Sequence, residues 1–128
     1  MKKKYLIVIA DYYKDISKGL LSSAKGKLPK SSVIKIINVP GVFEIPVTIS
    51  KNIKKYDAFL ALGCVIKGQT PHFDFISHSS TDAIMKLSVD NKKPIGNGII
   101  TCLNMRQAIA RVKKGREAAQ AVISVLSQ

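Results

Sequence analysis

The 128-residue sequence has no tryptophan, two cysteines, eight acidic residues, and aromatic side chains at 6% of its positions. Each scarcity excludes something. Cys64 and Cys102 lie far apart, with no Cys-x-x-Cys spacing and no flanking histidine cluster, so zinc binding and dithiol redox chemistry have no ligand set. Both fall in predicted strands, where a free thiol packs as a small hydrophobe, as expected of a cytoplasmic protein. No apolar run approaches the roughly 18 residues of a membrane span. The start, Met-Lys-Lys-Lys-Tyr-Leu-Ile-Val-Ile-Ala, is interrupted by Asp11 before it reaches the roughly 7–15 apolar residues of a signal h-region. It reads as a buried first strand with a basic lead-in.

Acidic residues are so few that 21 cations leave a formal charge of +13, which favours phosphate-bearing partners. Eighteen of those cations are lysines strewn along the predicted helices and loops, and there is no helix-turn-helix or RNA-binding signature. A solvated surface accounts for them better than a specific nucleic-acid interface does. With 46% hydrophobic residues and no low-complexity tract, repeat or linker, the chain suits one domain, 1–128, with one apolar core.

Short apolar runs alternate with helical patterns. Lys4 to Ala10, Val33 to Val39, Ala58 to Ile66 and Pro94 to Leu103 read as strands, and the third, the most apolar, is expected to be central. A first helix, which Asp15 is placed to cap, carries Ile16, Leu20, Leu21, Ala24 and Leu28 and ends near Gly26 to Pro29. After the Pro40-Gly41 break a second helix runs from about Phe43 to Lys54, with Pro46 in its first turn. A third covers Phe73 to about Asp90, and Asn104 caps a last helix containing Gln107 to Leu126, in which Gly115 marks a kink or break. Strands alternating with helices predict an α/β fold with a parallel sheet and helices on both faces.

The stretch Gly63-Cys-Val-Ile-Lys-Gly-Gln-Thr-Pro-His-Phe-Asp-Phe75 holds the densest chemistry. A strand ends there in a glycine-containing turn that leads into a helix, bringing Lys67, Gly68, Thr70 and His72 together at a place suited to anions. His72 can exchange protons near neutral pH, and its plain alternative is a capping or surface histidine. Asp74 suits the helix dipole as well as it suits orienting His72, and His78 is read as structural. Arg111 lies among Lys113, Lys114 and Arg116, where helix-surface charge is the ordinary explanation, although its fork fits a phosphate.

Gly-Cys-Val-Ile-Lys-Gly-Gln-Thr-Pro-His-Phe-Asp-Phe-Ile, with Pro40-Gly-Val-Phe-Glu-Ile-Pro46 upstream and Gly98-Ile-Ile-Thr101 and Gln107-Ala-Ile-Ala-Arg111 downstream, resembles the 6,7-dimethyl-8-ribityllumazine synthase family over nearly the whole chain. The resemblance implies a flavodoxin-like three-layer sandwich with strand order 2-1-3-4. It also implies condensation of 5-amino-6-(D-ribitylamino)uracil with 3,4-dihydroxy-2-butanone 4-phosphate, without metal or organic cofactor. It assigns proton transfer to His72 and ring stacking to Tyr12, Tyr13 being the less apt of the pair. Val42, Phe43 and Glu44 would contact the ribityl chain, the backbone of Cys64, Val65 and Ile66 the pyrimidine, and Asn97 would complete the substrate contacts. Gln69, Thr70 and Arg111 would hold the phosphate, Arg111 from a neighbouring subunit of a homopentamer or of a sixty-subunit shell.

Relatives commonly carry a longer glycine-containing segment after that arginine, with a second phosphate-side lysine. Here only Val112-Lys113-Lys114 separates Arg111 from Gly115, making Lys114 the stand-in. Lys67 replaces a more usual arginine, and the His78-Ser79-Ser80 stretch lacks a glutamate common in that helix. A non-catalytic module binding flavin or lumazine is the alternative. It is weakened because the loop after the first strand lacks a Ser/Thr/Gly-rich phosphate cradle.

Overall fold

The computed structural model describes residues 2–68 and 72–128. Strands β1 (Lys4–Ala10), β2 (Val33–Val39), β3 (Ala58–Ile66) and β4 (Ile95–Cys102) form one parallel sheet in the order β2-β1-β3-β4. Helices α1 (Lys14–Lys27) and α5 (Lys114–Leu126) cover one face, and α2 (Ile45–Lys51) and α3 (His72–Asn91) the other, a flavodoxin-like α/β arrangement. A short α4 (Met105–Ala110) precedes α5.

Alternation along β1 divides the core in two. Tyr5, Ile7 and Ile9 pack with Leu20 and Ala24 of α1 and with Ala118 and Val122 of α5, whereas Leu6, Val8 and Ala10 pack with Ile45, Ile49 and Ile84. Each fully buried aliphatic side chain contributes about 1.5–3 kcal/mol, so the two inner strands, β1 and β3, anchor the sheet. β2 lies at an edge, and its exposure is correspondingly mixed. Lys25 and Lys27 close α1, and Lys51 closes α2, where helix carbonyls attract cations. Part of the basic surface therefore serves the fold.

Several expected boundaries shift. Asp15 does not cap α1: Tyr13 occupies the N-cap without a side-chain bond, and Asp15 sits in the first turn, where its charge favours the dipole. The second helix opens as a 3-10 turn over Val42–Glu44 and ends at Lys51, three residues before Lys54, because Asn52 turns the chain and its side chain donates to the Thr48 carbonyl at 2.8 Å. Asn104 does cap, its Oδ1 accepting from the Gln107 backbone N–H at 2.9 Å.

The last helix breaks at Arg111 to Lys113, and not at Gly115. Gly115 lies inside α5, where a methyl would overlap the Leu20 carbonyl oxygen and come within 2.5 Å of Ser23 Oγ. This glycine is a contact between helices. Ser23 Oγ donates to the Val112 carbonyl at 2.8 Å and holds the break against α1.

Candidate functional site

The carboxyl ends of β1 and β3 and the turn after β2 meet at one edge of the sheet. The Asp11 backbone N–H donates to the Val39 carbonyl at 3.1 Å, and Asn38 Nδ2 donates to Asp11 Oδ2 at 3.1 Å, so the chain after β1 is tied to the end of β2. Gly63 lets Val42 settle on β3, since a Cβ there would lie 2.8 Å from Val42 Cγ2 and 3.1 Å from Ala10 Cβ. The Lys67 N–H reaches the Cys102 carbonyl at 2.8 Å and extends β3–β4 pairing into the following loop.

These contacts shape a cleft of about 700 Å³. Of the sequence-predicted residues, Tyr12, Val42, Phe43, Glu44, Cys64, Val65, Ile66 and His72 all line it. His72 is exposed as the first residue of α3, and Asp74 falls in that helix's first turn. Glu44 is half-buried at the start of α2, its Oε1 close over Gly41, where a Cβ would stand 3.1 Å away. Gln69 and Thr70 lie outside the described residues.

Tyr12 is 75% exposed, and its ring meets that of Tyr13 edge to face, with centroids 4.9 Å apart and planes at 82°. Tyr13 is partly buried against the α1/α5 core. Burial, with smaller contributions from Cys64 and Tyr12, raises the Tyr13 phenol above its usual range. Burial pushes the Cys64 thiol up to about 12, Cys102 adding to the shift, so the cleft floor carries a neutral thiol. The pairing of Cys64 with Ile100 and of Ile66 with Cys102 sets the two cysteines diagonally across β3 and β4.

Asn97, Arg111 and Lys114 line a different depression, of about 630 Å³, along β4 and the α4–α5 break. One Arg111 Nη donates to the Thr101 carbonyl at 3.1 Å and lies 4.0 Å from Cys102 Sγ, while the residue remains exposed. The Lys114 ammonium stands 3.6 Å from a Glu117 carboxylate oxygen. One protomer thus divides the predicted residues into an aromatic, imidazole-bearing cleft and a separate cationic depression.

Sequence reasoning missed Phe75 and Ile76, which line the cleft, and Thr101 and Lys113, which line the depression. Phe75 stands three positions after His72 on α3, so helical spacing was the available signal. Among the described residues no group of three or more His, Cys, Asp or Glu side chains is placed to hold a metal ion, and no helix is long and apolar enough to cross a membrane.

Residues 2–128 match the family model described as 6,7-dimethyl-8-ribityllumazine synthase. Curated relatives bearing that name include a protein of Rhodopseudomonas palustris strain BisA53, 42% identical over 134 residues, covering 94% of this chain and 82% of the relative. That of Agrobacterium fabrum is 40% identical over 140 residues, covering 98% and 95%. That of Bartonella bacilliformis is 46% identical over 117 residues, covering 88% and 77%.

Proposed function

This chain belongs to the 6,7-dimethyl-8-ribityllumazine synthase family, and from that premise we infer that it is a transferase of riboflavin biosynthesis. It joins 5-amino-6-(D-ribitylamino)uracil to 3,4-dihydroxy-2-butanone 4-phosphate and releases phosphate and water. The match over residues 2–128 is the observation that carries this reading. Support from the fold is the convergence of three separate chain segments on the cleft that holds His72.

The uracil's free amine attacks the butanone carbonyl and water leaves as the imine forms. Loss of phosphate follows and leaves, after tautomerisation, a carbonyl that the ribityl-bearing nitrogen attacks, a second water departing as the second ring closes. Each step moves protons near neutral pH, so one imidazole suffices where bond polarisation is modest, and holding two reactants together supplies much of the acceleration. His72 shuttles protons and Tyr12 stacks on the heterocycle. Backbone groups of Cys64 to Ile66 bond its edge, and Val42, Phe43 and Glu44 hold the ribityl chain. Arg111 and Lys114, with Gln69 and Thr70, bind the phosphate, and Asn97 flanks the same space.

The division between cleft and cationic depression supports a site shared between subunits, in which Arg111, Lys114 and Asn97 of one copy complete the cleft of the next. Exposed Phe43, Val47, Met85, Val89 and Ile109 supply apolar surface for such contacts. A pentamer, alone or within a sixty-subunit shell, and a cytoplasmic setting complete the reading, with the chain as a single domain.

The test is to mix purified protein with both substrates and follow lumazine absorbance and fluorescence. Product formation is expected. Binding of 6,7-dimethyl-8-ribityllumazine with no turnover would instead favour a binding module and overturn the enzymatic reading.

A further inference from the structure

An exposed aromatic ring that must receive a flat ligand faces an entropic cost, because its two side-chain torsions become fixed on binding. Tyr12 is such a ring, 75% exposed at the mouth of the cleft. Among the described residues its ring contact is with Tyr13, at 4.9 Å and 82°, near the perpendicular geometry that aromatic quadrupoles favour. Tyr13 itself is packed against the α1/α5 core and lines the same cleft as Cys64. Whichever ring presents its edge, at least one face of Tyr12 stays open.

We propose that Tyr13 is a positioning residue: anchored in the core, it fixes the Tyr12 ring before substrate arrives and so sets the affinity for the heteroaromatic substrate and product. The proposal deepens the functional reading above and rests on its assignment of ring stacking to Tyr12. As a rival stacking residue Tyr13 is the less apt of the pair. Its partial burial and perpendicular contact suit a different task. The phenol hydroxyl is not required for it, since the contact is made by the ring.

The experiment combines steady-state kinetics with fluorescence titration of 6,7-dimethyl-8-ribityllumazine. Tyr13→Met, which fills core space without a ring, should raise the KM for the aminouracil and the product Kd together by about 2- to 12-fold. Both kcat and the KM for butanone phosphate should stay within about twofold. Tyr13→Phe should restore the wild-type values. In a Tyr12→Leu background, Tyr13→Met should have no further effect, because the coupling partner is gone.

Additive effects of the two substitutions, failure of Tyr13→Phe to restore affinity, or an unchanged aminouracil KM in Tyr13→Met would overturn the proposal. If Tyr13→Met does not fold, Tyr13→Leu carries the same expectation, with a thermal melt as the check on folding. A Tyr12→Leu variant with unaltered aminouracil KM would remove the stacking assignment itself. Failure to form product at all with the wild type would remove the enzymatic reading, so the three failures are distinguishable.

Discussion

If the cleft of one protomer is completed by the cationic depression of the next, two variants that are each crippled should rescue one another. Among the described residues Arg111 uses one Nη, on the Thr101 carbonyl and at 4.0 Å on Cys102 Sγ, and remains exposed, which leaves most of its five N–H donors for a phosphate. Hydrogen bonds to charged groups contribute about 1.5–3 kcal/mol, so Arg111→Ala should lower kcat/KM for butanone phosphate by about 10- to 150-fold, chiefly through KM. With His72 in the proposed role of proton shuttle, His72→Ala should lower kcat by about 10²- to 10⁴-fold. Each chain keeps the half that the other lacks. In a head-to-tail ring assembled at random from equal amounts, about one site in four pairs an intact His72 with an intact neighbouring Arg111. Co-refolding or co-expression should thus return about a quarter of wild-type specific activity, measured by lumazine absorbance, with light scattering confirming that mixed rings have formed. Mixed rings with no recovery would place both residues in the site of a single protomer and refute the shared-site reasoning.

The helix contact at Gly115 predicts that Gly115→Ala lowers stability even though alanine is the better helix former by about 1 kcal/mol. The added methyl meets the Leu20 carbonyl and Ser23 Oγ, overpacking costs about 1–3 kcal/mol, and a fall of several degrees in the thermal midpoint is expected, a rise being the contrary result. Cys64 should resist iodoacetamide at pH 8 in the native protein, whereas the unfolded chain should take up two equivalents, because burial holds its thiol near 12. The same shift gives stability that is complete below about pH 9 and is lost as the unfolded thiol ionises between about 9 and about 12, at up to about 1.4 kcal/mol per pH unit. Chemical denaturation at several pH values should show that slope, and Cys64→Ala should make it shallower, leaving the part that the raised Tyr5 and Tyr13 phenols contribute.

The strands were legible because each is a short apolar run bounded by Gly, Pro, Ser or charge, and β1, β2 and β3 match their expected limits. Their order is another matter. Periodicity carries no information on which strands pair, and 2-1-3-4 came from resemblance to a family before the register bore it out. Local signals failed where tertiary contact decides. Gly115 reads as a helix breaker until its approach to α1 is seen, while the actual break, Arg111-Val-Lys113, contains no breaking residue at all. Asp15 reads as a cap, yet the helix starts two residues earlier than that would need, with Tyr13, packed on the core, at the N-cap. In the site, three marked segments together, Tyr12 after β1, the turn from Pro40 to Pro46 and the motif around His72, identified most residues that line the cleft. Only the family resemblance set Arg111 apart from them, because proximity in a chain says nothing about which side of β4 a side chain faces.

That division has a physical rationale in the two substrates. A flat heterocycle gains from apolar and aromatic surface and from fixed backbone hydrogen bonds, which Tyr12, Phe43, Phe75 and the end of β3 offer around an uncharged thiol. A phosphate needs cations, and Arg111, Lys113 and Lys114 packed permanently beside the cleft would repel one another and bury charge before substrate arrived. Keeping them at β4, one guanidinium steadied by the Thr101 carbonyl and one ammonium by Glu117, leaves each group hydrated in the free protomer. In the shared site proposed above, association would bring the cations to the cleft only when a neighbour covers the exposed apolar residues. On this reading assembly and catalysis are one equilibrium: specific activity should fall in step with dissociation on dilution, and protomers with undiminished activity would break the link.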